Sequence, residues 1–289
     1  MNCKPLQNRR AIRPEASPSG KSESSRAFTL LELLMVITII ALLASMAWPR
    51  GSGIAKSNTM IAATRQLMDD VGLARQKAIS MRSPVYVVFI NGIATNQDFL
   101  VTFRALTDVR FRKEVTNLFG GQYTSYALYT TKNVGDQPGN SHPRYLTPWK
   151  TLPQGTFIAV NKFATYSPDD NVLDRGFAMY HADQYNSARP KFLFPGTDSP
   201  KSFALPYICF NSQGQLVSDT SKSGNYNDAY IPLASGSVFY PRNTDGSFAL
   251  QQAPSVLETP FNNSVSNYNR IHISWATGRA KLERPEISR

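Results

Sequence analysis

A single carboxylate interrupts the longest apolar run of the 289-residue chain. Between Phe28 and Trp48 every residue except Glu32 is uncharged, and most are aliphatic. A charged side chain in apolar surroundings is costly unless a cation neutralises it, so such a residue usually has a function. The chemistry that fits Glu32 is therefore a charge pair with an amine, formed where water is excluded.

The residues before the apolar run indicate a source for that amine. Ala27 is small and follows the basic residue Arg26, so a peptidase at a membrane surface could reach the bond after it. Cleavage between Ala27 and Phe28 would leave a free amine on Phe28, with Glu32 one helical turn further along. If the amine belonged to a neighbouring chain, the pair would set the axial register of two packed helices. We expect residues 1–27 to be a leader peptide that is removed.

The apolar run has the length of a membrane span. As a helix, Phe28–Trp48 would be roughly 32 Å long, close to the thickness of a bilayer's hydrocarbon core. Basic residues precede it, which places the leader in the cytoplasm and the C-terminal part outside. Pro49 removes a helical hydrogen bond, so we expect a kink there. The sequence thus predicts a single transmembrane and assembly helix over residues 28–49.

A second helical pattern follows over residues 50–83 and continues into a globular domain. Apolar or small residues recur at alternating spacings of four and three, with most charges, including Asp69 and Asp70, off this stripe. The stripe consists of Met60, Thr64, Leu67, Val71, Ala74, Ala78 and Met81. The pattern predicts an amphipathic helix that lies closely on a sheet and ends before Pro84.

After Pro84 the period of alternation changes to two, which predicts a β-rich domain over residues 84–289. Expected strands are 84–91, 98–106, 124–131, 156–160, 176–180 and 237–240, expected hairpins are 207–218 and 270–283, and expected surface loops are 132–155 and 181–205. The fold class is therefore α+β: a long N-terminal helix, membrane-spanning in its first half and amphipathic in its second, packed on a C-terminal antiparallel β-sheet.

At residues 27–32 the sequence A-F-T-L-L-E resembles the prepilin-type N-terminal cleavage and methylation motif, usually written G-F-T-L-x-E before an apolar run. Ala27 takes the place of the usual glycine. The resemblance implies a pilin-like fold and cleavage between Ala27 and Phe28 by a prepilin peptidase. It also implies N-methylation of Phe28, assembly with other pilin-like subunits guided by Glu32, and a helix bend at Pro49.

Weaker resemblances cover the rest of the chain. Segments 72–89, 210–214 and 275–283 are similar to minor pseudopilins of the GspH/FimT type, and segment 73–79 also resembles a pilin-like protein of a gene cassette found in verrucomicrobial bacteria. These resemblances imply a minor pseudopilin of type II-like protein secretion. Such a subunit lies in the inner membrane with its C-terminal domain in the periplasm, and then in the pilus or pseudopilus.

Two other functional classes stay open. The element Gly278-Arg279-Ala280-Lys281 resembles a G-R-x-R element that FimT-like proteins carry and that is linked to DNA uptake. Arg279 and Lys281 could contact phosphate at a pilus tip that binds DNA or a surface, although a solvated hairpin end is the simpler interpretation. The other class is an exported β-domain whose N-terminus is an ordinary signal peptide, cleaved after Ala47, or a plain anchor.

Net charge and possible metal ligands give little further information about function. The net charge is +11, of which the leader carries +4, so the remaining +7 weakly favours anionic partners. Asp169, Asp170 and Asp174 are weak candidates for calcium ligands, but their spacing matches no EF-hand and they suit a turn as well.

Residues for catalysis are also sparse. The three histidines are scattered, and Cys209, the only cysteine after the leader, lies in an apolar strand where we expect it to be buried. We therefore expect no enzymatic activity, no metal and no cofactor.

Overall fold

The computed structural model describes residues 29–47, 52–90, 92–93, 97–133, 135–137, 140–163, 191–217, 228–266 and 269–284. The chain divides into two units, Met1–Arg50 and Gly51–Arg289. The predicted strand 176–180 lies outside the described residues.

The described part of the first unit is the helix α1, over Leu30–Ala47, with Thr29 before it. Every side chain described in it, from Leu30 to Ser45, is exposed, and Glu32 is the only charged one among them. A helix that is apolar on all sides needs an apolar partner around its whole circumference. In the described ranges, no helix is both long and apolar enough to cross a membrane.

In its described residues, the second unit combines four α-helices with thirteen strands. The helices are α2 (Ser52–Met81), α3 (Gln97–Arg104), α4 (Val109–Leu118) and α5 (Asn263–Ser266). The strands are β1 (Val85–Phe89), β2 (Ser125–Thr130), β3 (Arg144–Tyr145), β4 (Lys150–Thr151), β5 (Thr156–Ile158), β6 (Phe192–Leu193), β7 (Ser202–Phe203), β8 (Tyr207–Phe210), β9 (Leu216–Val217), β10 (Ala229–Phe239), β11 (Ser255–Glu258), β12 (Asn269–Ile273) and β13 (Ala280–Glu283).

The strands form three antiparallel sheets. The first has the order β3-β2-β1-β8-β9, with β4 also paired with β2, and the second has the order β11-β10-β12-β13, with β5 paired with β10. The third contains only β6 and β7. The α+β class is confirmed, but the strands form three sheets instead of the single sheet that we expected.

Strand β1 is the centre of the first sheet and is covered on both faces. Val85, Val87 and Phe89 face a core shared with α2 and the second sheet. Val88 and Ile90 face a second, aromatic core formed with α3, α4 and the β6–β7 pair. Because successive side chains of a strand point to opposite faces, one strand supplies both cores.

The predicted stripe of α2 is confirmed at six of its seven positions. Met60, Thr64, Leu67, Val71, Ala74 and Ala78 are buried, whereas Met81, at the helix end, is partly exposed. The small residues on this stripe let the helix lie close to the sheet. Helix α2 packs against β1, β10, β12 and β13.

The prediction of a strand at 98–106 is wrong, because α3 occupies most of that segment. Phe99, Phe103 and Leu106 are all buried at helical spacing, while Val101 between them is exposed. Helix α4 was not predicted, and strand β10 is longer than the expected segment 237–240.

The prediction of a surface loop over residues 181–205 is also wrong for residues 191–205, the part of it that the structure describes. Strands β6 and β7 lie there, and Phe192, Phe194 and Phe203 are fully or almost fully buried in the aromatic core. The expected loop 132–155 contains the short strands β3 and β4. Strands of two residues are too short to show the alternation of apolar and polar side chains from which a strand is predicted.

A buried acid ties α2 to the first sheet. Asp70, predicted to lie off the apolar stripe, is buried, and its carboxylate accepts hydrogen bonds from Tyr126 Oη at 2.7 Å and Lys150 Nζ at 2.5 Å. Gln66 Nε2 donates to Tyr126 Oη at 3.0 Å. Burial, together with the hydrogen bond and charge of Asp70, raises the pKa of Tyr126 far above its usual value, so the phenol stays a neutral donor.

Replacing Asp70 should therefore loosen α2 from the sheet. We expect Asp70→Asn to lower the free energy of unfolding by about 1.5 kcal/mol, since the variant loses a charge-assisted hydrogen bond and the ion pair with half-exposed Lys150. A double-mutant cycle with Tyr126→Phe, measured by urea denaturation of the full chain in detergent, should show a coupling of about 1 kcal/mol. Strictly additive effects would contradict the direct contact.

Candidate functional site

Helix α1 begins with a reciprocal hydrogen-bonded cap. Thr29 precedes the helix, and its Oγ1 accepts a hydrogen bond from the backbone N–H of Glu32 at 3.2 Å. In return, Glu32 Oε2 lies 3.5 Å from both the backbone nitrogen and Oγ1 of Thr29. This arrangement is a capping box, and the T-x-x-E spacing in the sequence could have predicted it.

The cap directs the carboxylate of Glu32 backwards, to the start of α1. There it is stabilised by the positive end of the helix dipole, and it is exposed. A cation that approached the first turn of α1 would meet an oriented carboxylate rather than a freely rotating one. Of the other residues assigned to processing and bending, Ala27, Phe28 and Pro49 lie outside the described residues, so their roles stay predictions.

Comparison with known protein families finds one match, confined to this end of the chain. Residues 24–48 match the prokaryotic N-terminal methylation motif. The match supports a type IV pilin-like protein. No curated protein and no solved structure matches the chain. Support for a pilin-like protein thus comes from the N-terminal motif alone, and these comparisons do not define a subtype.

The three segments of weaker resemblance meet at one place. Arg75 Nε on α2 donates to the carbonyl oxygen of Thr277 at 2.7 Å, and the N–H of Leu216 donates to the carbonyl oxygen of Trp275 at 3.0 Å. We call this meeting point the turn junction: Arg75 and Ile79 of α2 with the turns 211–214 and 274–278. The sequence grouped these segments but did not predict that they touch.

Two glycines allow the turn junction to close. Gly214 and Gly278 have φ angles of +77° and +62°, which side-chain-bearing residues rarely adopt. Gly278 also lies directly against the carbonyl oxygen of Gly214, and Gly214 lies against Ile79. A β-carbon at either position would therefore meet both backbone strain and a close neighbour.

The candidate phosphate-binding residues lie on the hairpin β12–β13. Arg279 and Lys281 are exposed, but Lys281 Nζ is 2.8 Å from Glu283 Oε1, so an acid already neutralises it. Arg270 Nε is 3.0 Å from the other oxygen of Glu283. A phosphate on Lys281 would have to compete with Glu283, and the phosphate-binding role of Arg279 and Lys281 stays a prediction.

His272 is the centre of the same charged network, which sequence reasoning missed. Its Nδ1 is 2.9 Å from Glu283 Oε1 and its Nε2 is 2.6 Å from Asp228 Oδ2, while its ring stacks on Tyr230 at 4.7 Å. The backbone N–H of Trp275 donates to Asp228 at 2.8 Å. With carboxylates at both ring nitrogens, His272 joins three segments of the chain.

The surroundings lower the pKa of both carboxyls. For Glu283 the hydrogen bond from Lys281 is the largest influence and outweighs burial. For Asp228 burial is the largest influence and raises the pKa, but the hydrogen bonds from Trp275 and His272 and the charges of His272 and Lys281 together outweigh it. A carboxyl with a lowered folded-state pKa stabilises the fold above its unfolded-state pKa, and this stabilisation is lost as pH falls through the folded-state value.

We therefore expect acid to weaken the fold in part through this network. The free energy of unfolding should fall as pH is lowered from about 4 towards about 2. Glu283→Gln should make this fall shallower, and Glu114→Gln, in an exposed ion pair with Arg110, is the control that should not. Urea denaturation at a series of pH values checks this; identical slopes for wild type and Glu283→Gln would refute the assignment.

The remaining candidates concern metals and the thiol. Asp169, Asp170 and Asp174 lie outside the described residues, so their calcium role is untested. Among the residues that are described, no cluster of His, Cys, Asp and Glu could hold a metal ion. Cys209 is buried in β8, which confirms the expectation for it.

Proposed function

We propose that the chain is a minor pilin-like subunit, a pseudopilin. A prepilin peptidase cleaves it between Ala27 and Phe28 and methylates Phe28. The mature subunit is then assembled through its first helix into a pilus or pseudopilus that serves type II-like protein secretion. The observation that carries the proposal is the methylation-motif match over residues 24–48, which includes Glu32.

Before assembly, residues 28–48 hold the subunit in the inner membrane as a single span. The leader lies in the cytoplasm and the β-rich domain in the periplasm. During assembly the apolar helix leaves the lipid and packs against the same helix of other subunits. The exposed apolar surface around all of α1 supports this, because such a helix needs burial on every side.

Glu32 guides the docking step. The carboxylate, oriented by the capping box, pairs with the methylated amine of Phe28 on a neighbouring subunit. Because both charges enter an apolar bundle, each would be costly without the other, and only one axial register brings them together. The role is structural rather than enzymatic: the chain is the substrate of the peptidase.

The large domain favours a minor subunit over the main one. It carries three sheets and an inserted pair of helices on top of the α2-and-sheet core, so each copy would add bulk to the fibre surface. The alternative of a DNA-binding tip gains no support from Lys281, which is already paired with Glu283.

The test is the N-terminus of the mature protein. The full-length chain is expressed with a prepilin peptidase and purified from membranes, and its N-terminal sequence and intact mass are determined. We expect N-methylated Phe28 as the first residue. A protein that begins at Trp48 would establish an ordinary signal peptide instead, and an uncleaved chain in the presence of active peptidase would establish a plain anchor.

A further inference from the structure

The helical hairpin α3–α4, inserted between β1 and β2, has one face in the aromatic core and one in solvent. Its inner side chains are Phe99, Phe103, Leu106, Phe111 and Val115, all buried. Its outer face carries Val101 and Arg104 from α3, and Val109, Arg112 and Lys113 from α4, all exposed. We call these five residues the α3–α4 outer face.

Segment 97–118 carries a small excess of positive charge, with four cations against three acids. Arg110 is paired with Glu114 at 3.0 Å, and Asp108 caps α4 by accepting a hydrogen bond from the backbone N–H of Arg110 at 2.8 Å. Within the part of the chain that the structure describes, Arg104, Arg112 and Lys113 have no acidic partner.

One of these cations also links the two helices. The guanidinium of Arg112 on α4 lies over the ring of Phe103 on α3, 5.6 Å from its centroid. This contact places the charge of Arg112 beside α3. Arg112 and Lys113 are adjacent on α4, and this contact links them to the helix that carries Arg104.

Two valines occupy the same face and are unusually exposed. Val101 is 62% exposed and Val109 is 79% exposed. Protruding aliphatic side chains among cations are typical of a surface that rests on a bilayer interface, where the cations contact anionic headgroups and the aliphatic groups enter the acyl boundary. Nucleic acid would instead favour exposed aromatic side chains for stacking, and the two phenylalanines nearest the patch, Phe103 and Phe111, are buried.

We propose that the α3–α4 outer face binds an anionic lipid surface and holds the domain on the membrane before assembly. This inference rests on the proposed membrane anchoring of the chain. A tethered domain is already at high local concentration near the bilayer, so three cations and two valines suffice for a reversible contact. Release of this contact would accompany extraction of the subunit into the fibre.

The experiment places an environment-sensitive fluorophore on the outer face. The full chain with Val109→Cys and Cys3→Ser is labelled with nitrobenzoxadiazole; Cys209 is buried and should stay unlabelled. The labelled chain is reconstituted into phosphatidylcholine vesicles, with or without about 30% phosphatidylglycerol. We expect a blue shift and an emission increase of about threefold only with the anionic lipid, and loss of both at high salt.

Matched charge reversals identify the face responsible. Arg104→Glu, Arg112→Glu and Lys113→Glu together should abolish the response. The same change in net charge at three exposed cations elsewhere, Lys132→Glu, Lys201→Glu and Arg284→Glu, should leave it. A label at Ala276→Cys, in the exposed turn of the β12–β13 hairpin, should give no shift.

Each contrary outcome has a distinct meaning. Emission that is equal in both kinds of vesicle, while the chain floats with them, refutes the lipid contact but not the anchoring. A chain that floats with neither kind refutes the anchoring and the lipid contact together. A response to duplex DNA in neutral detergent micelles, abolished by the same charge reversals, would reassign the face to nucleic acid.

Discussion

Replacing Glu32 with alanine should reduce incorporation of the subunit into fibres by about 100-fold while membrane insertion persists. In the fibre the amine of one subunit would then be buried without its carboxylate, and an unpaired buried charge costs several kcal/mol. In the membrane, by contrast, removing a carboxylate makes the apolar run easier to insert. The measurement is an immunoblot of sheared fibres beside the membrane fraction.

The capping box makes it possible to separate two roles of this residue. Glu32→Gln keeps an oxygen that can accept from Thr29 but has no charge, whereas Thr29→Ala removes the hydroxyl of the cap and leaves the charge. If charge pairing governs docking, Glu32→Gln fails like alanine and Thr29→Ala is incorporated. Normal incorporation of Glu32→Gln would show that the carboxylate serves only to cap α1.

Features that depend on short sequence spacings were predictable. The stripe on α2 is a regular pattern over six turns, and the hairpins β8–β9 and β12–β13 each combine two alternating segments with a glycine turn. The motif around Glu32 was predictable for the same reason, since charge, residue order and apolar length all lie within 25 residues. Local rules suffice where contacts are local.

Features set by distant contacts were not predictable. Segment 98–106 has apolar residues that fit either period, and only the aromatic core contributed by β6 and β7 selects the helix. Asp70 looked like a solvent-facing acid because its partners Tyr126 and Lys150 lie 56 and 80 residues away. His272 likewise depends on Asp228, 44 residues distant. A pattern confined to a short stretch of sequence cannot reveal partners that lie so far away along the chain.

Gly278→Ala is expected to lower the free energy of unfolding by about 3 kcal/mol. Part of this loss is backbone strain, since φ is +62° at this position. The larger part is steric, because the new methyl group would meet the carbonyl oxygen of Gly214 and lie 3.2 Å from the ring of Phe210. Neither turn can move aside freely, since Arg75 hydrogen-bonds to Thr277 and Leu216 hydrogen-bonds to Trp275 in the turn that contains Gly278.

A second glycine in the same chain isolates the steric part. Gly246 has a φ of +82°, also in the left-handed region, but a β-carbon there would meet no atom within 4 Å. Gly246→Ala should therefore cost only the conformational term, about 1 kcal/mol. Urea denaturation of the full-length variants in detergent, followed by tryptophan fluorescence, compares the two directly. If both variants lose the same free energy of unfolding, the turn junction relaxes around the new methyl group. The close contact between the two turns would then add nothing to stability, and only the backbone strain at Gly278 would count.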